Sequence, residues 1–227
     1  MIKAVITDIE GTITDIHFVH KVLFPYSREK MQSFLLENQA EPDVMNALNE
    51  VGEIIGDKTA NINTLSQQLI QWVDEDKKIG PLKTLQGMIW LEGYHQGQFK
   101  GHIYDDAFVI LQKWHQENVK LYVYSSGSVK AQDLLFQYST FGDIRYLFSG
   151  YFDTKVGPKK EPQSYQAILE KIDAFAEETL FLSDVIAELD AAKESAMRTC
   201  LLNRDNQVFG ENKHKECQSF YEIDLRG

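Results

Sequence analysis

Short apolar runs and helical periods alternate through both ends of the chain. The clearest runs are residues 2–8 (IKAVITD), 120–125 (KLYVYS), 179–184 (TLFLSD) and 198–203 (RTCLLN), and a weaker one lies near 146–152. Runs of this length, rich in apolar and β-branched residues and bounded by polar ones, indicate strands that are buried on both faces of a sheet. The pattern therefore predicts five strands.

Between these runs, apolar residues recur at the i, i+3, i+4, i+7 spacing of an amphipathic helix. The sets are Ala107, Ile110, Leu111 and Trp114; Ala131, Leu134, Leu135 and Tyr138; and Tyr165, Ile168, Leu169 and Ile172, which Pro162 precedes. Proline at that place suits the first turn of a helix. Strands that alternate with helices predict right-handed crossovers and a parallel sheet with helices on both faces.

The strand pattern is missing between Ile13 and about Ile103, where only helical periods occur. The helical sets there are Val19, Val22, Leu23 and Tyr26; Val44, Leu48, Val51 and Ile55; Ile62, Leu65, Leu69 and Trp72; and Leu85, Met88 and Ile89. We therefore predict an α/β fold whose core (1–12 and 104–227) is interrupted by an all-helical cap (13–103). The tail after Asn206 is polar and poorly patterned, with SFYEIDL as a packing segment.

The charge balance excludes several classes of partner. The 227 residues include 23 basic and 34 acidic ones, a formal net charge of −11, with no long basic run. A nucleic-acid or anionic-membrane surface is therefore not expected. The longest uncharged stretch, Thr59 to Val73, is too short to span a bilayer, and MIKAVITDIEGT carries acids where a signal peptide is apolar. Cys200 and Cys217 have no metal-binding spacing, so we expect reduced thiols in a cytoplasmic protein.

Reactive side chains stand at the carboxyl ends of the predicted strands. The first strand ends in Asp8-Ile9-Glu10-Gly11-Thr12, the second in Ser125-Ser126-Gly127-Ser128, and a later one in Asp184. Each group alone is also explained by helix caps and turns. Ligands of an open parallel sheet, however, bind beyond these ends, near the point where the strand order reverses. Together with a lysine-bearing loop, the groups favour one functional site.

The chemistry of these residues matches phosphoryl transfer. Two carboxylates on neighbouring strand ends form a hard oxygen site for Mg²⁺. A carboxylate held there can attack phosphorus and form an aspartyl-phosphate. A second acid two residues later can protonate the leaving oxygen and then deprotonate water. Hydroxyl and backbone N–H groups at Ser125 and Ser126, with a lysine, can hold the phosphoryl oxygens.

At these residues the chain resembles the haloacid dehalogenase superfamily of phosphatases. The segment DIEGT matches the first motif, DxDGT, except that Glu10 replaces the usual aspartate. Ser125 matches the end of the second motif, and Asp184 matches the fourth. The resemblance implies a Rossmann-like parallel sheet with an inserted cap.

The lysine of the third motif has three candidates. Lys155, Lys159 and Lys160 all lie in the loop before the predicted helix at Tyr165. Aligning KKEPQSY with the family's KPxPxxY pattern selects Lys159. The alternative is that Lys159 is a solvated loop residue.

A narrower resemblance covers nearly the whole chain, including the predicted cap. DIEGT is followed in order by FVHKVLFPY, LQGMIW, VYSSGSVKAQDLLF and FDTKVG. This series is similar to that of the bifunctional enolase-phosphatases (acireductone synthases) of methionine salvage. The resemblance implies enolisation of 2,3-diketo-5-methylthiopentyl-1-phosphate to 2-hydroxy-3-keto-5-methylthiopentenyl-1-phosphate. Loss of phosphate would then yield 1,2-dihydroxy-3-keto-5-methylthiopentene.

The resemblance also implies roles for the site residues. Asp8 is expected to be the nucleophile and Glu10 the acid/base, and Asp8, Glu10 and Asp184 are expected around one Mg²⁺ per subunit. Either the side chain of Glu10 or only its backbone carbonyl would contact the metal. The residues expected to hold the substrate phosphate are Ser125, Ser126 and Lys159.

The base of the enolase step stays open. Glu10 is one candidate, and His17, His20 and Glu92 of the predicted cap are others, although helical histidines and glutamates are more often ordinary surface residues. Glu188, one helical turn after the last metal acid, is expected to be a supporting or solvated acid rather than a ligand. The cap is expected to exclude water and to contact the methylthio tail.

Other classes of protein share part of this pattern. A generic phosphatase or phosphomutase of the same superfamily would use Asp8, Lys159 and Asp184 without an enolase step. A receiver domain also phosphorylates an aspartate beside Mg²⁺, but on a middle strand and without a large cap. A dehalogenase would not need the metal acids. The expected partner is a small phosphorylated diketone, and the family resemblance implies a monomer.

Overall fold

The structure, a computed structural model, describes residues 1–208 and 213–226. It contains two units. The sheet unit comprises Met1–Ile16 and Gly101–Gly227, and the helical unit comprises His17–Lys100. The assignment of a catalytic domain to 1–12 and 104–227 and of a cap to 13–103 stays a prediction.

The helical unit is built from amphipathic helices around an apolar core. Its elements are α1 (Ile16–Phe18), which begins at the unit boundary, a π-helical turn (Val19–Leu23), α2 (Phe24–Asn38), α3 (Pro42–Ile55), α4 (Ile62–Asp74) and α5 (Gly80–His95). The Asn61 side chain accepts a hydrogen bond from the Thr64 N–H and so caps α4. Gly56 ends α3 in the left-handed conformation that glycine adopts without strain. The four predicted helices are confirmed, the first as a composite of α1, the π-helical turn and the start of α2.

Six parallel strands are found among the described residues of the sheet unit. They are β1 (Ala4–Thr7), β2 (Lys120–Tyr124), β3 (Gly150–Phe152), β4 (Thr179–Ser183), β5 (Arg198–Leu202) and β6 (Lys215–Cys217). Their order is β3-β2-β1-β4-β5-β6. All four residues of β1 are buried, because β1 lies between β2 and β4 and its side chains face helices. The strand order reverses at β1, and this reversal predicts where a ligand binds.

The described part of the sheet unit also contains four α-helices. They are α6 (Asp105–Gln116), α7 (Val129–Gln137), α8 (Pro162–Ile172) and α9 (Ile186–Glu194). The core between strands and helices includes Ile6, Tyr124, Tyr165 and Phe181, all fully buried. The predicted α/β fold with a parallel sheet is confirmed.

Two features near the C terminus differ in how well the pattern predicts them. β6 is not predicted, because KEC at the edge of the sheet is mostly polar and only Cys217 is buried. SFYEIDL packs as expected, since Phe220 is buried against Trp114. Cys200 and Cys217 are free thiols, as expected. Across residues 1–208 and 213–226, no helix combines the length and the apolar character that crossing a membrane requires.

Candidate active site

Two acids come together where β1 and β4 end. Asp8 directly follows β1, and Asp184 directly follows β4. The Asp8 N–H donates to the Leu182 carbonyl at 2.8 Å, so the pairing of the two strands continues as far as Asp8. Asp8 is buried, with 4% of its surface exposed. The strand order therefore brings these two carboxylates to the same edge of the sheet, as predicted.

Lys159 reaches the first of these acids. Its Nζ lies 2.6 Å from Asp8 Oδ1 and 2.6 Å from Glu188 Oε2, and its side chain is buried. The Tyr165 hydroxyl donates to the Lys159 carbonyl at 2.6 Å, which fixes the loop before α8. The other two lysines of this segment are exposed. The structure therefore brings Lys159, and neither neighbour, to the acids.

One cation serves two carboxylates in this cluster. Burial alone would lower the pKa of Lys159, but the carboxylates of Asp8 and Glu188 raise it above its ordinary value, so the lysine stays charged. Burial and the charge of Asp8 raise the pKa of Glu188 to about 7, and Lys159 only partly offsets this. The cluster is therefore short of positive charge at neutral pH.

Two further side chains belong to the site: Glu188, which the sequence predicts as a supporting or solvated acid, and Ser183, which the sequence pattern does not identify. The Ser183 hydroxyl donates to Glu188 Oε2 at 3.0 Å and accepts from the Val185 N–H at 3.1 Å. Glu188 is buried and bonded to Lys159, so it is a supporting acid and not a solvated one. Its place one turn after Asp184 was the available signal. Ser183 carries no sequence signal beyond its place at the end of β4.

Glu10 faces the loop that follows β2. The Ser125 hydroxyl donates to Glu10 Oε2 at 3.1 Å and accepts from the Gly127 N–H at 3.0 Å. Burial, and then the charge of Asp8, raise the pKa of Glu10. A carboxyl with a raised pKa holds its proton closer to neutral pH, which suits an acid/base. Ser126 follows in the same loop and is exposed.

Gly11 and Asp184 approach so closely that only glycine fits. Gly11 has a φ of +72°, and a Cβ built there would collide with the Asp184 carboxylate. Asp184 Oδ1 is buried and has no hydrogen-bond partner within the described residues. Burial, and then Asp8, raise the pKa of Asp184 to about 6. A buried carboxylate oxygen of this kind carries a free-energy cost unless something binds it.

The donor set fits a hydrated divalent cation. In the described part of the chain, no three His, Cys, Asp or Glu side chains are arranged to hold a metal ion by themselves. Mg²⁺ does not require such a set, because it keeps several waters and uses one or two carboxylates. The neighbouring carboxylates of Asp8 and Asp184, with the unpartnered oxygen of Asp184, match that requirement. The side chain of Glu10 is bonded to Ser125 instead.

The remaining candidates for the base of the enolase step lie in the helical unit. His17, His20 and Glu92 all lie between His17 and Lys100. Their role as the enolase base stays a prediction.

The fold and this arrangement of acids, lysine and serine define a hydrolase class. A family model described as haloacid dehalogenase-like hydrolase matches residues 2–195. The chain belongs to this family, and the predicted resemblance to it is confirmed.

Several similar proteins share the name Enolase-phosphatase E1, and the similarity extends over nearly their whole length. The chain is 49% identical over 227 residues to Enolase-phosphatase E1 of Yersinia enterocolitica, covering 100% of this chain and 99% of that protein. It is 48% identical over 225 residues to Enolase-phosphatase E1 of Pectobacterium carotovorum, covering 99% and 98%. The similarity includes both the sheet unit and the helical unit.

Solved structures show the same fold. The crystal structure of the UTR4 protein of Saccharomyces cerevisiae matches with a TM-score of 0.81 and 35% identity, over 98% of this chain and 100% of that one. CbbY of Rhodobacter sphaeroides, crystallised with phosphate, matches with a TM-score of 0.61 over 98% of this chain and 96% of that one. At 16% identity the second likeness concerns the fold alone.

Proposed function

We propose that the protein is a bifunctional enolase-phosphatase of methionine salvage. Its substrate is 2,3-diketo-5-methylthiopentyl-1-phosphate, which it enolises and then dephosphorylates to 1,2-dihydroxy-3-keto-5-methylthiopentene. The observation that carries this proposal is the identity of about half the residues to enolase-phosphatases across both units. The buried contact between Lys159 and Asp8 supports the phosphatase step.

In the phosphatase step, Asp8 is the nucleophile. One carboxylate oxygen attacks phosphorus, and the bond between phosphorus and the ester oxygen breaks. Glu10 donates its proton to the leaving oxygen, then takes a proton from water, which attacks the aspartyl-phosphate, releases phosphate and restores Asp8. The raised pKa of Glu10 supports the first of these proton transfers.

The phosphate is held by Ser125, Ser126 and Lys159. Lys159 is bonded to Asp8 at 2.6 Å and so lies beside the attacking atom. Its positive charge offsets the repulsion between a carboxylate nucleophile and an anionic substrate. Glu188 also contacts Lys159 Nζ, at 2.6 Å, and Ser183 donates to the same Glu188 oxygen and so holds Glu188 in place.

Asp8 and Asp184 would hold one Mg²⁺ per subunit, with the backbone carbonyl of Glu10 as a further candidate ligand. The ion supplies positive charge that stabilises the phosphoryl oxygens in the transition state. We propose the Glu10 backbone carbonyl rather than its side chain as this ligand, because the Glu10 side chain accepts a hydrogen bond from Ser125. We also propose that the enzyme is a cytoplasmic monomer.

In the enolase step, a base removes a proton from the carbon that bears the phosphate, the electron pair moves into the neighbouring carbonyl, and the carbonyl oxygen takes a proton from water to give the enol. Glu10 can act as this base only while it is deprotonated. The proton that it takes from the substrate is then the one that it donates to the leaving oxygen in the phosphatase step, so one residue would serve both steps in turn. His17, His20 and Glu92 are the alternatives.

The test uses the purified protein and the diketo-phosphate with Mg²⁺ under anaerobic conditions. Ultraviolet absorbance follows the enol, and a phosphate assay follows release. The proposal expects both signals, and neither after metal is removed with a chelator. Phosphate release from simple sugar phosphates with no reaction of the diketone would instead indicate a generic phosphatase of the same family.

A further inference from the structure

Gln132 is a buried amide directly behind the loop after β2. It lies on α7, with 2% of its surface exposed. Its Nε2 donates to the Gly127 carbonyl at 2.9 Å and to the Phe152 carbonyl at 2.9 Å. Gly127 lies in the loop that follows β2, and Phe152 is the last residue of β3. One side-chain amide group therefore joins the loop after β2 to the end of β3.

The orientation of this amide follows from its neighbours. Carbonyl oxygens only accept hydrogen bonds, so the amide must direct its two donor hydrogens toward Gly127 and Phe152. Its Oε1 is then buried without a hydrogen-bond partner in residues 1–208 and 213–226. An unpartnered buried oxygen costs free energy, so the two donated bonds are made at the expense of stability.

The two bonds set the direction of the peptide groups in the loop. Gly127 directs its carbonyl toward Gln132 and its N–H toward Ser125 Oγ, which in turn donates to Glu10. The Phe152 carbonyl also accepts from the Ser125 N–H at 3.2 Å. Gln132 therefore binds both the carbonyl of Gly127 and the carbonyl that positions Ser125.

The direction of the Gly127 carbonyl matters for an anion. A carbonyl oxygen that faced the Ser125 side would repel phosphoryl oxygens, whereas N–H and hydroxyl groups attract them. Glycine permits such a peptide reversal more easily than other residues. The hydrogen bond from Gln132 Nε2 to the Gly127 carbonyl opposes this reversal of the peptide group.

We propose that Gln132 is a positioning residue that holds the Ser125–Gly127 loop in its phosphate-binding conformation by fixing the Gly127 carbonyl toward α7. The proposal rests on the proposed function, because it takes Ser125 and Ser126 as the phosphate-binding residues. Gln132 itself does not contact the substrate. Its effect is on binding and orientation of the phosphate.

The test is Gln132→Met, which keeps the length of the side chain and removes both donors. We expect the inhibition constant of inorganic phosphate, with Mg²⁺ present, to rise by about 10- to 100-fold. The KM of a phosphate ester should rise in parallel, with a smaller change in kcat. Both are measured with p-nitrophenyl phosphate and with the diketo-phosphate.

Ser195→Ala is the matched control. Ser195 is also buried and also donates to a backbone carbonyl, that of Pro162 at the start of α8, at 2.8 Å, but it follows the C-terminal end of α9. Its loss should lower the melting temperature and leave the phosphate inhibition constant unchanged. If Gln132→Met does not fold, Gln132→Glu replaces it, since it keeps the shape and has at most one donor hydrogen.

The outcomes separate the two proposals. A folded Gln132 variant that binds phosphate as tightly as the native protein overturns the positioning role, and so does a native protein that does not bind phosphate. A native protein that binds phosphate and hydrolyses p-nitrophenyl phosphate, yet leaves the diketone unchanged, contradicts the proposed substrate alone. In that case the comparison of Gln132 with Ser195 still decides the role of Gln132.

Discussion

The two units differ in where their charged side chains lie. In the sheet unit, Lys159, Asp8 and Glu188 form a buried ion cluster, and Arg204 forms a second pair with Asp106 in which each side chain is 12% exposed. In the helical unit, ion pairs such as Arg28 with Asp74 join exposed side chains. The core of the helical unit is apolar, with Leu35, Val44, Val51, Leu69 and Leu85 fully buried.

This difference indicates that the apolar core of the helical unit serves stability, whereas the buried charges of the sheet unit serve function. Burying charges costs free energy that their attraction seldom exceeds, so buried pairs are weak evidence for stability. The helical unit reaches a stable core without them. The sheet unit concentrates them at one edge, where β1 and β4 end, and there they are explained by chemistry. The following changes test this separation, from the largest expected effect to the smallest.

The largest expected effect is on catalysis, from Asp8→Asn. The amide cannot act as the nucleophile, so phosphate release should fall on the order of 10⁴-fold. Accumulation of the enol-phosphate in this variant would show that another residue is the enolase base. Asp74→Asn, a surface acid of the helical unit, is the control and should leave the rate unchanged. Native-rate phosphate release by Asp8→Asn would contradict the nucleophile assignment.

Lys159→Met should have the largest effect on stability. It leaves the Asp8 and Glu188 carboxylates buried without their cation, which costs about 3–5 kcal/mol of unfolding free energy. Urea denaturation at pH 8 measures it. Adding Glu188→Gln removes one of the two uncompensated charges and should restore part of the loss. A double variant no more stable than the single one would contradict a shared ion cluster.

Leu69→Ala tests the contribution of apolar packing to the stability of the helical unit. Leu69 is fully buried in that unit, so truncation should cost about 2–5 kcal/mol through lost burial and the cavity left behind. The same urea experiment measures it. Hydrolysis of p-nitrophenyl phosphate by the folded fraction reports whether the sheet unit is affected.

Asp184→Asn should stabilise the metal-free protein at pH 7. The pKa of Asp184 is raised from 3.8 to about 6, so the folded state binds its proton more tightly than the unfolded state does. Stability from this group is fully present below pH 3.8 and is lost as the pH rises through about 6. Removing the charge should therefore add about 3 kcal/mol at pH 7 and nothing near pH 3.5. Thermal unfolding with a chelator measures this, and Mg²⁺ should stabilise only the native protein.

The smallest expected effect comes from Arg28→Ala. Arg28 Nε and Nη2 donate to Asp74 Oδ1 and Oδ2 at 2.6 and 2.9 Å, but both side chains are about half exposed. Such a pair contributes less than about 1 kcal/mol, and less again in high salt. Melting curves at low and high ionic strength check this. A loss as large as that of Lys159→Met would remove the contrast between the units.

The strands of this fold are predictable because parallel strands are buried on both faces and so read as apolar runs. The edge strand β6 is not, because KEC owes its place to pairing with β5 and not to its own pattern. Helices α3 and α4 are predictable from period alone, since one face of each is buried. The π-helical turn is not, because its stability depends on contacts such as Trp90 Nε1 donating to the Leu23 carbonyl.

The site is predictable only where it follows strand ends. Asp8 and Asp184 end strands, and adjacent strands bring them together. Spacing alone does not separate Lys159 from two neighbouring lysines, and the choice needed a family pattern. Gln132 lies on α7 as a polar residue without a motif of its own, and its contacts with the loop after β2 and the end of β3 arise only in the folded protein.

The central place of β1 has a consequence for the order of assembly during synthesis. β1 is made before both of its partners, which begin at Lys120 and Thr179, so its backbone waits until about 175 further residues have been made before both of its neighbours exist. At about 5–20 residues per second, that wait is roughly 10–35 s. The helical unit is continuous in sequence and is complete before β2 is made. The proposed nucleophile at the end of β1 is thus translated well before β2 and β4 but is fixed in place only after both are made.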